Sequence, residues 1–181
     1  YFSQIGGASK IDADWTVYDV NADSKTWAND TYGGSGGYTD AGTTAGAKYS
    51  WSSSNNGDDW LVSPAVHLEA DKEYKISFYV KTTSTSYKES LRLVVANANT
   101  VEALSKNSET LLDFPELTQT KFKKETKVFT ARETGDYYFA FYAYSAKNLY
   151  TMYVTAFQVA ENVLTPGAVT DLAATEGADE A

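Results

Sequence analysis

The 181-residue chain has no cysteine. That excludes disulfides, cysteine-based zinc sites and a thiol nucleophile. There is one histidine, His67, and its nearest acid in sequence is Glu69, so no Ser-His-Asp set can be argued around it. Basic residues are scarce: 15 Lys and Arg stand against 24 Asp and Glu, a formal net charge of −9. Such a chain does not suit nucleic acid or an anionic membrane surface, because like charge repels at long range. No run approaches the ~18 apolar residues of a membrane-spanning helix, so no membrane insertion is expected. Phosphate-loop, zinc and nucleophile-elbow motifs are missing. No pair among the 24 acids is singled out for glycoside hydrolysis. The chain reads as a non-enzyme. Tyr1 opens in mid-pattern with no signal peptide, which fits a mature or trimmed chain.

Aromatic residues are plentiful, with 14 tyrosines, 8 phenylalanines and 4 tryptophans. A Tyr- and Thr-rich chain with only three prolines favours sheets. Tyr74, Ile76, Phe78 and Val80 alternate with Lys75, Ser77, Tyr79 and Lys81, the period of a half-buried strand. An apolar stretch from Trp60 to Leu68 precedes it across the charged linker 69–73, and the pair reads as a hairpin. Pro64 lacks an amide donor, which predicts an edge or a bulge there. Residues 137–144 alternate two aromatic sets: Tyr137, Phe139, Phe141 and Ala143 against Tyr138, Ala140, Tyr142 and Tyr144. A tight hairpin at Ala146-Lys147-Asn148 leads to a last strand over 149–160. Asn99 is placed to cap one short helix, Thr100 to Lys106. Nine or ten short strands of this kind predict an all-β, antiparallel two-sheet jelly-roll β-sandwich with one short helix. Residues 1–161 form that domain, and 162–181 form a linker and a strand-like fragment of another.

Two kinds of site are suggested. Asp19-Val-Asn21-Ala-Asp23 has the alternating oxygen spacing of a calcium loop, but Ser24 and Asp30 stand where an EF-hand needs Gly and Glu. The favoured reading of the same residues is an Asx-rich turn that satisfies its own backbone. Asp59, next to Asp58, is a further candidate ligand, because adjacent carboxylates repel unless they are paired or metal-bound. Aromatic faces stack on sugar rings and anchor protein interfaces. Tyr138, Tyr142 and Tyr144 on one strand face with Tyr150 just past it, and Trp27, Tyr32 and Tyr38 in or beside a Gly-rich loop over 28–46, are the ligand candidates; core packing is the other reading for each.

These segments resemble the cleaved-adhesin domains of gingipain-type proteases and the related choice-of-anchor J domains. The likeness runs through Trp15-Thr-Val-Tyr-Asp19, Asp59-Trp60-Leu-Val-Ser-Pro64, Tyr74-Lys-Ile-Ser-Phe-Tyr79, Gly135-Asp-Tyr-Tyr-Phe-Ala-Phe141 and Tyr153-Val-Thr-Ala-Phe-Gln-Val159, and covers roughly 1–161. It implies a non-catalytic module of a secreted or surface-attached bacterial protein that recognises carbohydrate or an extracellular protein. A passive spacer, or an accessory domain of a secreted hydrolase, is the alternative. The resemblance also implies calcium, with Asp59 as one ligand. The family's last strand brings an Asp to the metal, whereas Val154-Thr-Ala-Phe157 has no acid. From Pro166 the chain resembles the opening of a fibronectin type III domain.

Overall fold

The computed structural model describes residues 1–163. The first sheet runs in the order β10 (Lys123–Thr130), β7 (Glu73–Thr82), β12 (Thr151–Glu161), β4 (Gly46–Ser50), β3 (Trp27–Asp30), and β1 (Phe2–Ser3) also pairs with β12. The second runs β2 (Thr16–Asp19), β5 (Asp59–Val62), β11 (Gly135–Ala143), β8 (Glu89–Ala96), β9 (Glu109–Leu117), with β6 (Val66–Leu68) also on β11. Every pairing between these strands is antiparallel. This is the expected all-β two-sheet sandwich.

Alternation sets the layers. Tyr74, Ile76, Phe78 and Val80 of β7 are all buried, and so are Tyr137, Phe139, Phe141 and Ala143 of β11. These inward faces meet across the sandwich: Phe78 lies 4.9 Å from Phe141, and Phe157 of β12 lies 5.8 Å from Phe141, ring centre to ring centre, in edge-to-face contacts. Such geometry adds about 0.5–1.5 kcal/mol per pair beyond area burial.

Two expected hairpins are corrected. The strands before and after the 69–73 linker lie in different sheets, because β5 and β6 pair with β11 while β7 pairs with β10 and β12. The same holds for β11 and β12 around Ala146-Lys147-Asn148. Each strand carries a full apolar face, and in this fold the two faces meet across the core. The Pro64 expectation holds: pairing with β11 slips by one residue between Val62↔Ala140 and Val66↔Tyr137. There the buried Ser63 hydroxyl accepts from the Phe139 amide at 3.0 Å and stands in for a ladder bond.

The short helix α1 (Val101–Lys106) is capped by Thr100 rather than Asn99; the Thr100 hydroxyl accepts from the Ala103 amide. Asn99 is engaged by β2, since its carbonyl accepts from the Tyr18 hydroxyl at 3.0 Å. The helix buries Leu104 against Val62, Val94, Ala96 and Ala140 on the outer face of the second sheet. It thereby covers one part of that face and forms a wall beside the rest. The fibronectin-like segment from Pro166 lies outside the described residues.

Candidate binding face

A row of five side chains crosses the outer face of the second sheet. Strand register aligns Tyr18 with Trp60, Trp60 with Tyr142, Tyr142 with Arg92 and Arg92 with Asp113. Because strands lie about 4.8 Å apart, the row spans about 19 Å at the backbone. Trp60 and Tyr142 stack at 4.2 Å, and Tyr142 stacks on Tyr144 at 5.6 Å, both with rings 19° from parallel. The Arg92 guanidinium caps the stack, 5.0 Å from the Tyr144 ring. Arg92 also pairs with Asp113 at 3.0 Å, and Asp113 accepts from the Tyr144 hydroxyl. The Tyr142 hydroxyl donates to Asp58 at 3.1 Å.

The charges lock this arrangement. Burial, then the Asp58 carboxylate, pushes the Tyr142 hydroxyl up to about 12; burial, then Asp113, does the same to Tyr144. Both stay protonated and donate. Partial burial alone would raise the Asp113 carboxyl, but the Tyr144 hydroxyl and Arg92 outweigh it and hold it below the ordinary carboxylate value. Each hydroxyl therefore has a carboxylate acceptor, and the two rings stack beside each other on the strands. Beside the row lies a groove of about 460 Å³, walled by α1 and lined by Trp60, Tyr142, Arg92, Val94, Leu104 and Ser105. A shallower depression of about 610 Å³ shares Asp58 and Tyr142 with it and continues over Asn21, Asn55, Asn56 and Lys147.

The expected ligand residues separate into two groups. Tyr142 and Tyr144 belong to this row, and Tyr138 stands on the same face, packed against the cluster under α1. The Gly-rich loop is a correction. Trp27 is buried against Tyr49, and Tyr38 is buried against Phe122 and Tyr153. The loop folds down on the outer face of the first sheet: Asp30 gathers the amides of Tyr32 and Gly33 and the Tyr38 hydroxyl, and buried Lys81 donates to the Ser35 carbonyl. Trp27 and Tyr38 are structural, and Tyr32 alone points into solvent, 73% exposed. Sequence reading missed Trp60, Arg92, Asp113 and Tyr18, whose shared row depends on register between distant strands. Tyr150, just past the 137–144 strand, joins two residues that sequence reading missed, Trp51 and Tyr87, in an exposed trio at one end of the sandwich. Tyr87 lies 4.5 Å from Tyr150, and the Trp51 amide donates to the Tyr150 carbonyl.

The acidic loop folds as an Asx turn. Asp19 accepts from the amides of Asp23 and Ser24, Asn21 from Asp23, and Asp23 from Lys25. Among the described residues, no three His, Cys, Asp or Glu side chains group as a metal site. Asp59 differs. It is fully buried, and its Oδ2 accepts from the Asp58 amide; the Thr26 and Tyr49 hydroxyls lie near the carboxylate, but its Oδ1 has no well-aligned donor among the described residues. Burial first, with Asp19 and Asp23 adding repulsion, pushes it up to about 6 against the bonds it accepts. On the last strand, where an acid is missing, the Thr155 hydroxyl meets the carbonyls of Ala45 and Gln4. His67 sits at the surface, 3.0 Å from Asp136.

The profile of the cleaved adhesin domain matches residues 6–159. The chain belongs to the cleaved adhesin family. No curated protein matches it. Among solved structures, this cleaved adhesin domain is similar to the K1 cleaved adhesin domain of Lys-gingipain from Porphyromonas gingivalis W83. Identity there is 16% over 90% of this chain and 98% of that one, with a TM-score of 0.70. A carbohydrate-binding module of family 61, solved with β-1,4-galactotriose, matches at 12% identity over 82% and 89%, with a TM-score of 0.58. The xylan-binding domain of Paenibacillus barcinonensis Xyn10C matches at 12% identity over 89% and 92%, with a TM-score of 0.56. At these identities the likeness is one of fold. A cleaved adhesin domain with this sandwich is an adhesion or ligand-binding module, and no helix of the described residues is long and apolar enough to cross a membrane.

Proposed function

We propose that this domain binds carbohydrate on the outer face of its second sheet, along the Tyr18–Trp60–Tyr142–Arg92–Asp113 row, as a non-catalytic module of a secreted or surface-attached bacterial protein. The observation that carries the reading is the groove beside that row, where aromatic edges, fixed hydroxyls, carboxylates and a guanidinium stand together on rigid strands. Sugars need both kinds of contact: apolar ring faces to cover C–H groups, and convergent polar groups for hydroxyls. Similarity in fold to modules solved with a galactan fragment and named for xylan binding supports the reading. The test is a glycan array probed with the chain and with a Tyr142→Ala, Tyr144→Ala variant. Binding to a defined glycan that the folded variant loses is the expected result; retention by the variant would place binding elsewhere. A second reading, protein adhesion, draws on the exposed Trp51, Tyr87 and Tyr150. It gains if the array is blank and extracellular proteins bind instead.

Calcium enters the proposal at Asp59. A hard cation would match its unpartnered buried oxygen and neutralise the repulsion from Asp19 and Asp23, a structural role. EDTA is then expected to lower the melting temperature by several degrees. An unchanged melt, with no metal found by elemental analysis, would count against it.

A further inference from the structure

The net charge of −9 is not spread evenly along the chain. Residues 118–132 hold five of the 15 basic residues, Lys121, Lys123, Lys124, Lys127 and Arg132, against one acid, Glu125. Most of this segment is β10, an edge strand of the first sheet. Among the described residues β10 has one ladder, to β7, so its far side presents unpaired backbone donors and acceptors. Such an edge is a template for another extended chain. Folds blunt it by shortness, proline, bulges or lysine.

The other free edges are blunted by their structure. β2 and β3 have four residues each, β6 three and β1 two. β9 is long, but it carries Pro115 and its register with β8 is irregular in two places. β10 keeps unbroken register with β7 over eight residues and contains no proline. Its protection is charge. Lys123, Glu125 and Lys127 lie on one side of the strand, and Lys124, Thr126 and Val128 on the other. All of these except Glu125 are exposed. Among the described residues, Lys123 pairs with Glu125 at 2.9 Å, while Lys124 and Lys127 have no carboxylate in ion-pair range. A second copy of β10 laid alongside would set lysine against lysine, which disfavours self-pairing. The same lysines favour a strand of opposite charge. The row of alternating N–H and C=O groups matches an extended polypeptide, whereas a sulfated glycan would use the charges alone.

We infer that the β10 edge takes up an acidic, extended segment of a partner protein as an added strand. Its acidic side chains would lie beside Lys124 and Lys127, and Val128, 42% exposed, offers an apolar contact next to them. This edge belongs to the other sheet from the aromatic row, so the inference does not rest on the carbohydrate reading. The experiment adds an acetylated peptide of four Glu-Thr repeats to the full chain, with four Lys-Thr repeats and dextran sulfate as comparisons. Binding is read by fluorescence anisotropy and by hydrogen exchange of the β10 amides. The Glu-Thr peptide is expected to bind, more weakly as salt rises, and to slow exchange at the β10 amides that face away from β7. Lys124→Gln combined with Lys127→Gln, both at exposed positions, should weaken that binding about tenfold and leave the melting temperature unchanged. Equal binding of the Lys-Thr peptide, or no binding of the Glu-Thr peptide, would overturn the inference. Exchange is the deciding readout, because dextran sulfate can hold the lysines without covering the ladder amides. A Glu-Thr peptide that binds without slowing β10 exchange is held by charge alone, and strand addition is then wrong.

Discussion

Asp59 is the residue whose environment contradicts its chemistry most. A carboxyl shifted from an ordinary 3.8 to about 6 in the folded state holds its proton more tightly there than in the unfolded chain. Between those two values the folded state binds more protons, so stability falls as pH rises from about 4 to above 6. The loss is about 3 kcal/mol at most, at 1.36 kcal/mol per unit. Asp59→Asn is isosteric and cannot ionise. In EDTA at pH 8 it is expected to be more stable than the parent in urea melts, with that part of the pH dependence gone. A variant no more stable than the parent at pH 8 would contradict the account. If calcium is held there, the same variant also loses the calcium-linked gain. At this scale the sequence marked Asp59 as a candidate, but not its burial. Nor could it tell Trp27 and Tyr38 from ligand residues, since a Gly-rich loop reads alike whether it reaches into solvent or folds back over a sheet. Here Asp30 and Lys81 draw it back.

At the scale of elements, the strand broken at Pro64 is the clearest case. A proline without an amide forces the slip between β5 and β6, and the Ser63 hydroxyl repairs the ladder by accepting from Phe139. Ser63→Ala strips that acceptor from a buried amide, so about 1–3 kcal/mol of stability should be lost, read by denaturant titration. A change within about 0.5 kcal/mol would mean the amide finds another partner. Strand existence and inward faces were legible, because period-two alternation reports burial directly: Tyr74, Ile76, Phe78 and Val80 are all inside. Which strands pair was not legible. Short connections at 69–73 and 146–148 suit a hairpin and a crossing between sheets equally well, and the partners that decide between them, β11 for β5 and β6 and β10 and β12 for β7, lie far away in the chain.

For the whole molecule, the two-sheet architecture has one outer face covered by a loop and the other partly covered by a six-residue helix. That asymmetry leaves the second sheet's transverse row beside a groove, and it places the rigid ring stack where a ligand can reach its edge. The even-numbered tyrosines of β11 were visible as one face of an alternating strand. The row was not, because Tyr18, Trp60, Arg92 and Asp113 are scattered through the chain and meet only through antiparallel register. The four tryptophans make the central claim directly measurable. Each gives one indole N–H resonance in a nitrogen-15 correlation spectrum: Trp15 and Trp27 from the core, Trp51 from the exposed trio, Trp60 from the groove. On titration with the tightest-binding glycan, the Trp60 resonance is predicted to move while that of Trp51 stays. Movement of Trp51 with Trp60 unchanged would contradict the account and put the binding face at the end of the sandwich.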